Sequence, residues 1–87
     1  MPVLIRHRVD GFTLANYDEI SPPLLKLVEQ QPGFVLHVAF EDSQGACVAE
    51  IWETKEQHDA FFNANVVPNV PGDIQQEVIE VHNLVSA

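Results

Sequence analysis

Positive charge is what this 87-residue chain has least of. Four Lys and Arg stand against thirteen Asp and Glu, a formal net charge of −9. Nucleic acid and anionic membrane both require a basic footprint, so neither is expected as a partner. Cysteine is nearly missing too. Cys47 alone permits no internal disulfide, which fits a reducing, cytoplasmic setting. No apolar run approaches the ~20 residues of a membrane span. The opening Met1-Pro2-Val3-Leu4-Ile5-Arg6 enters a strand at once and lacks the layout of a secretory signal. Gly11, Gly33, Gly45 and Gly72 are isolated turn glycines, so no loop is built to cradle phosphate. There is no repeat, linker or low-complexity segment. What is left is one small domain, 46% hydrophobic and 20% charged, as in soluble globular proteins. So short a chain buries a modest core, and a sheet with one uncovered face would be marginal alone.

Hydrophobic periodicity orders the elements. The β-branched run Val3 to Val9 predicts a first strand, ended by Asp10-Gly11. Leu14, Tyr17 and Ile20 recur at helical spacing, and then Ser21-Pro22-Pro23 intervenes. Proline inside a helix loses a hydrogen bond and clashes with the preceding turn, whereas Ser-Pro is a good N-cap and first helical position. The pattern therefore predicts a short helix over 14–20, a break at Ser21, and a second helix over 22–31 stopped by Pro32-Gly33. Phe34 to Glu41 and Ala46 to Trp52 read as two strands joined by the tight turn Asp42-Ser43-Gln44-Gly45. Thr54 and Gln57 form a capping-box pattern for a helix running to about Val67 and ended by Pro68. Asn69 to Asp73 is a loop, and Ile74 to Val85 a fourth strand. This order predicts an α+β, ferredoxin-like βαββαβ sandwich spanning residues 1–87. Its four-stranded antiparallel sheet carries the helices on one face.

Turn length sets strand register. With a two-residue Ser43-Gln44 turn, His37 faces Glu50, Ala39 faces Val48 and Val35 faces Trp52. The wholly apolar set Leu36, Val38, Phe40, Cys47, Ala49 and Ile51 is then expected to meet the helices. Val3, Ile5, His7 and Val9 join it, with Ile79, Val81, Asn83 and Val85 from the last strand. The other face collects Leu4, Arg6, Arg8, Val35, His37, Glu50, Trp52, Val78, Glu80 and His82. Half apolar and half charged, it looks like a surface covered by a partner.

The element order, the opening Met-Pro-Val-Leu-Ile-Arg-His and the junction Ala49-Glu50-Ile51-Trp52-Glu53-Thr54 carry a resemblance over nearly the whole chain. It is similar to the dimeric α/β-barrel superfamily, in its antibiotic-biosynthesis-monooxygenase-like branch. That resemblance implies a homodimer in which two sheets face each other, and a small-molecule pocket between helices and sheet. It also implies oxidation of aromatic polyketides or quinols without a metal or flavin cofactor, degradation of haem, or lactone isomerisation. Two departures bear on this. Many relatives have a His where this chain has Phe61. Haem-degrading relatives have a Trp at Phe61, an Asn at about His7 and a ligating His at Pro71, so no haem ligand is evident.

His7 is the sharpest candidate for chemistry. It interrupts an apolar strand face, near where Tyr17, Asn83, Phe61 and Phe62 could converge. A neutral imidazole can take a proton from a phenol or an enol. The alternative is a core histidine bonded to a carbonyl or to Tyr17. Phe34, Phe61 and Phe62 are expected to fill or line the pocket. Arg6, Arg8, His37, Glu50, Trp52, Glu80 and His82 are expected at a dimer interface, and His58, beside Asp59, at the surface. No pair of histidines has His-x-His or His-x3-His spacing, so no metal site is expected. Cys47 reads as an inert small apolar residue. Two functions stand open: a small cofactor-free oxygenase acting on an aromatic or quinol-like molecule, and a homodimeric binding or accessory protein without turnover.

Overall fold

The computed structural model describes residues 1–70 and 72–87. The elements are β1 (Val3–Val9), α1 (Leu14–Val28), β2 (Phe34–Asp42), β3 (Gly45–Trp52), α2 (Lys55–Phe61), a π-helical turn (Phe62–Val66) and β4 (Ile74–Glu80). The four strands form one antiparallel sheet in the order β2-β3-β1-β4. This is the ferredoxin-like α+β arrangement that the element order predicts. Among the described residues no helix is long and apolar enough to cross a membrane.

The β2–β3 hairpin has the expected register over most of its length. His37 faces Glu50 and Ala39 faces Val48 across a Ser43-Gln44 turn, where Asp42 Oδ1 accepts the Gln44 N–H at 2.9 Å. The far end differs. A bulge between Phe34 and Leu36 sets Phe34, not Val35, opposite Trp52. Such an extra residue bends a strand and increases its local twist.

Helix α1 is continuous through Pro22 and Pro23, so the expected break at Ser21 is absent. Both prolines are exposed. Their missing N–H groups release the carbonyls of Asp18 and Glu19, themselves exposed residues, to water rather than to an apolar interior. Meanwhile the stripe Tyr17, Ser21, Leu24, Leu25 and Val28 keeps one face toward the sheet across the prolines. Thr13 caps the start, exchanging hydrogen bonds with Asn16 in both directions at 3.1 Å.

Thr54 caps α2 as expected, accepting the Gln57 N–H at 3.2 Å. The other half of the capping box is replaced: the Thr54 hydroxyl donates to Gln57 Oε1 at 3.1 Å. The helix does not run regularly to Val67. After Phe61 it widens, and the Val67 N–H reaches back five residues to Phe62 O at 3.0 Å. The wider turn lets the consecutive Phe61 and Phe62 both point inward, 5% and 8% exposed.

Strand β4 ends at Glu80, five residues short of expectation. Glu80 faces Val3, the first residue of β1, and the Val81 N–H takes the Pro2 carbonyl at 2.9 Å. Beyond that point β1 offers no further residue to pair with. The loop position Pro71 lies outside the described residues.

The face assignment is corrected for three of the four strands. Val3, Ile5, His7 and Val9 face the helices as expected, with Ile5 fully buried. The partners of this row across β3 are Trp52, Glu50 and Val48, so those residues also face the helices. Trp52 is completely buried, packed with Val28 and Phe61 and flanked by Val3, Leu25, Phe34 and Val66. Leu36, Val38, Phe40, Cys47, Ala49 and Ile51 belong to the opposite, open face. In β4 the helix-side row is Ile74, Gln76, Val78 and Glu80, and Ile79 pairs with Leu4 on the open side. The physical reason is that Trp52 outweighs the charges beside it. Its large apolar surface belongs in the core, and Glu50 and His37 follow it in because each is hydrogen-bonded there.

Candidate active site

Two hydrogen-bonded chains meet at a cavity between α1, the π-turn and the sheet. The first begins at the buried Trp52, whose indole N–H donates to Glu50 Oε1 at 2.9 Å. Glu50 Oε2 accepts from His37 Nδ1 at 2.6 Å, and His37 Nε2 pairs with the Tyr17 hydroxyl at 2.6 Å. The chemistry of the partners assigns the protons. A carboxylate can only accept, so His37 carries its proton on Nδ1 and leaves Nε2 as a lone pair for the Tyr17 O–H. Burial alone would raise the Glu50 pKa, but the hydrogen bonds from His37 and Trp52 outweigh it and hold the carboxyl below its usual value. Burial raises the Tyr17 hydroxyl, which keeps it protonated.

The second chain runs from the surface inward. Lys55 Nζ pairs with Asp59 Oδ2 at 2.5 Å, and Asp59 Oδ1 accepts from His58 Nδ1 at 2.8 Å. His58 Nε2 then meets His7 Nε2 at 3.0 Å. With His58 protonated on Nδ1, its neutral ring accepts at Nε2 and His7 donates. The His7 ring lies stacked on Phe62, centroids 4.7 Å apart. Burial is the main cause that lowers the His7 pKa, to about 4. Glu50 opposes the shift, and His58 and His37 reinforce it.

The cavity has a volume of about 110 Å³. Apolar side chains make most of its wall, among them Phe12, Leu24, Leu25, Phe61, Phe62 and Val66, and its polar spots are His7, Tyr17, Ser21, His37 and Glu50. A few convergent polar groups in an apolar cleft is the usual make-up of a small-molecule site.

Several expected placements change. His37, Glu50 and Trp52 are interior groups, not interface groups, because their strand face is the helix face. His58 is completely buried rather than at the surface. Asn83 is exposed and lies past the end of β4, so it does not join His7 and Tyr17. Phe34 packs edge-on against Trp52, centroids 5.4 Å apart, and does not line the cavity. Phe61 and Phe62 do line it. Arg6 and Arg8 lie on the open face, Arg6 paired with Glu77 and Arg8 with both carboxylate oxygens of Asp42 at 3.0 and 2.6 Å. Glu80 and His82 are exposed, at and beyond the end of the edge strand. Cys47 is buried with a free thiol.

Sequence reasoning placed His58 at the surface, and it placed His37 and Glu50 side by side but on the wrong face. The hairpin register contained the His37–Glu50 pair. Nothing local links His7 to His58, fifty-one residues apart. The absence of short His spacing therefore did not exclude a histidine cluster. His7, Glu50 and His58 each bring a ligand atom within 4.8 Å of the others.

No family model matches the sequence, and no curated protein does. Solved structures match the fold. The cofactor-independent oxygenase SnoaB from Streptomyces nogalater superposes with a TM-score of 0.65 at 13% identity, over 99% of this chain and 96% of that one. The haem-degrading protein Rv3592 from Mycobacterium tuberculosis gives 0.66 at 20% identity, over 100% and 98%. A monooxygenase from the gene ActVA-Orf6 of Streptomyces coelicolor, in complex with nanaomycin D, gives 0.64 at 11% identity, over 99% and 91%. What the chain shares with them is the fold.

Proposed function

We propose that this protein takes a phenolic or quinol-like aromatic into the helix–sheet cavity and removes its hydroxyl proton through Tyr17 and His37, as a small oxygenase-like enzyme. The observation that carries this reading is the Tyr17–His37–Glu50 chain. A phenol, Tyr17, already hydrogen-bonds to the lone pair of an imidazole that is backed by a buried carboxylate. A bound phenol can displace that hydroxyl or donate to its oxygen, and in either case the proton moves toward His37 Nε2. Glu50 orients the ring and stabilises the imidazolium that forms. His37 suits this role better than His7. A base with a pKa near 4 is poorly matched to a phenol, whose reference value is about 10.

The phenolate is electron-rich enough to react with dioxygen. A ring carbon that bears hydrogen forms a bond to one oxygen atom, and the outer oxygen takes back the proton held on His37, giving a hydroperoxide. The O–O bond then breaks as the proton on that carbon leaves, so one oxygen remains in a quinone carbonyl and the other departs as water. The apolar wall suits an aromatic ring and excludes water from the phenolate.

A homodimer joined through the open sheet face belongs to the same reading. Val38, Phe40 and Ile79 are 45%, 36% and 42% exposed there, beside Leu4, Leu36 and Ile51. Arg6 and Glu77 supply opposite charges on that face. A partner of ordinary size would cover ~1,200–2,000 Å² in total.

A second reading, binding without turnover, draws on a different observation. The Tyr17–His37 bond is complete without a ligand, and no buried side-chain nitrogen or oxygen among the described residues lacks a partner.

Calorimetric titration with naphthols and naphthoquinols, followed by oxygen-electrode assays, separates the two. The enzyme reading requires saturable binding, oxygen uptake and its loss in His37→Gln. Binding with no oxygen uptake for any oxidisable ligand supports the second reading. No binding sinks both.

A further inference from the structure

We propose that His7, His58 and Glu50 form a binding site for a divalent transition-metal ion of the zinc or cobalt type, with an open coordination position toward the cavity. This does not rest on the oxygenase reading. The three residues come from β1, α2 and β3, and their ligand atoms lie within 4.8 Å of one another. Two imidazole Nε2 atoms already point at each other across 3.0 Å. Metal–nitrogen bonds of about 2.0–2.1 Å in tetrahedral geometry hold two such atoms roughly 3.3 Å apart. Admitting the ion takes an opening of a few tenths of an ångström between the two nitrogens, a tilt of each ring so that its lone pair converges on the ion, and an approach of the Glu50 oxygen from within 4.8 Å.

The surroundings match what metal ligands require. A ligating histidine is commonly oriented by a carboxylate on its other nitrogen. His58 has that carboxylate in Asp59 Oδ1 at 2.8 Å, itself held by Lys55. Asp59 fixes the tautomer of His58 that leaves Nε2 bare. His7 must carry its proton on Nδ1, a switch that no hydrogen-bond partner among the described residues opposes. Glu50 is oriented in the same way, by Trp52 on one oxygen and His37 on the other. A carboxylate has about four lone-pair positions, so two remain after those bonds. Two imidazoles and one carboxylate suit zinc, cobalt and nickel better than calcium or magnesium.

Three protein ligands leave a fourth position, as in catalytic rather than structural zinc sites. His7 and Glu50 line the cavity and His58 does not, which directs that position into the cavity. The ligand expected there is water or an oxygen donor such as a phenolate or carboxylate.

The test uses the whole protein, stripped with chelator and dialysed free of it. Zn²⁺ is titrated calorimetrically, and Co²⁺ by its visible absorption. The expected result is one saturable ion per chain and an intense Co²⁺ spectrum of low coordination number. His58→Asn should abolish both. Because that residue is fully buried and its loss could unfold the chain, His7→Gln at a half-buried position provides a second arm with the same expected loss. Asp59→Asn, which touches no ion, should weaken binding ~10–100-fold. His82→Gln, at an exposed histidine, should leave affinity unchanged. The proposal is overturned if no saturable binding occurs, or if His7→Gln binds like the unaltered protein. In the latter case the ion sits adventitiously on the acidic surface. Failure here leaves phenol binding in chelator untouched, so the two readings fail separately.

Discussion

Acid should weaken this fold in part through His7. The ring is held neutral by burial, with a pKa of about 4 against 6.5 in the unfolded chain. The sign follows from which state binds the proton first. Above pH 6.5 both states are neutral and His7 contributes no pH dependence. As pH falls from 6.5 toward 4 the unfolded chain is protonated while the folded one is not, so stability is lost. Below about 4 both are charged and the loss levels off. The gap between the two values corresponds to about 3 kcal/mol at full loss, and to about 2 kcal/mol between pH 7.5 and pH 5. Urea denaturation of the unaltered protein and of His7→Gln, at both pH values and in chelator, measures this. Glutamine keeps a polar side chain but does not titrate, so groups common to both proteins, Glu50 and Asp59 among them, largely cancel in the comparison. The unaltered protein should lose about 2 kcal/mol more than His7→Gln. An equal loss in the two would refute the burial of His7 as a neutral ring.

Three further outcomes follow from the packing. Trp52→Ala should destabilise the fold by ~3–5 kcal/mol in urea melts, since it empties the centre of the helix–sheet core and removes a donor from Glu50. A cost under 1 kcal/mol would place the indole on the open face instead. Pro23→Ala should stabilise by ~1–3 kcal/mol, because Pro23 sits exposed inside a continuous helix; destabilisation would show that the helix is broken there. Sedimentation at micromolar concentration should show a dimer that Phe40→Glu converts to monomer while cavity binding persists. A monomer without the substitution would remove the open-face interface.

The fold was legible because its signals are local. Turn residues, β-branched runs and the Thr54 cap each mark an element boundary within a few residues. The two prolines of α1 misled because their effect depends on which side of the helix they occupy. On the solvent side the freed carbonyls reach water, and the apolar stripe through Leu24, Leu25 and Val28 decides. The π-turn after Phe61 likewise carries no local mark that separates it from a regular helix. Face assignment failed for a different reason. An apolar row and a row holding Trp52, Glu50 and His37 competed for the core, and alternation alone cannot weigh one against the other. The indole decided it, and Glu50 could follow only because Trp52 and His37 satisfy both its oxygens. The His7–His58 contact was beyond reach of spacing rules altogether. It arises where β1 and α2 cross in space.

On this reading the cavity binds a phenol and passes its proton toward His37. Titrating the protein into a nitrophenol, whose phenolate absorbs visibly, tests it at a pH below the ligand's own pKa. Saturable growth of the phenolate band is the predicted result, with His37→Gln binding the same ligand in its neutral form. Binding of the neutral phenol by the unaltered protein, or phenolate formation that persists in His37→Gln, would contradict the account.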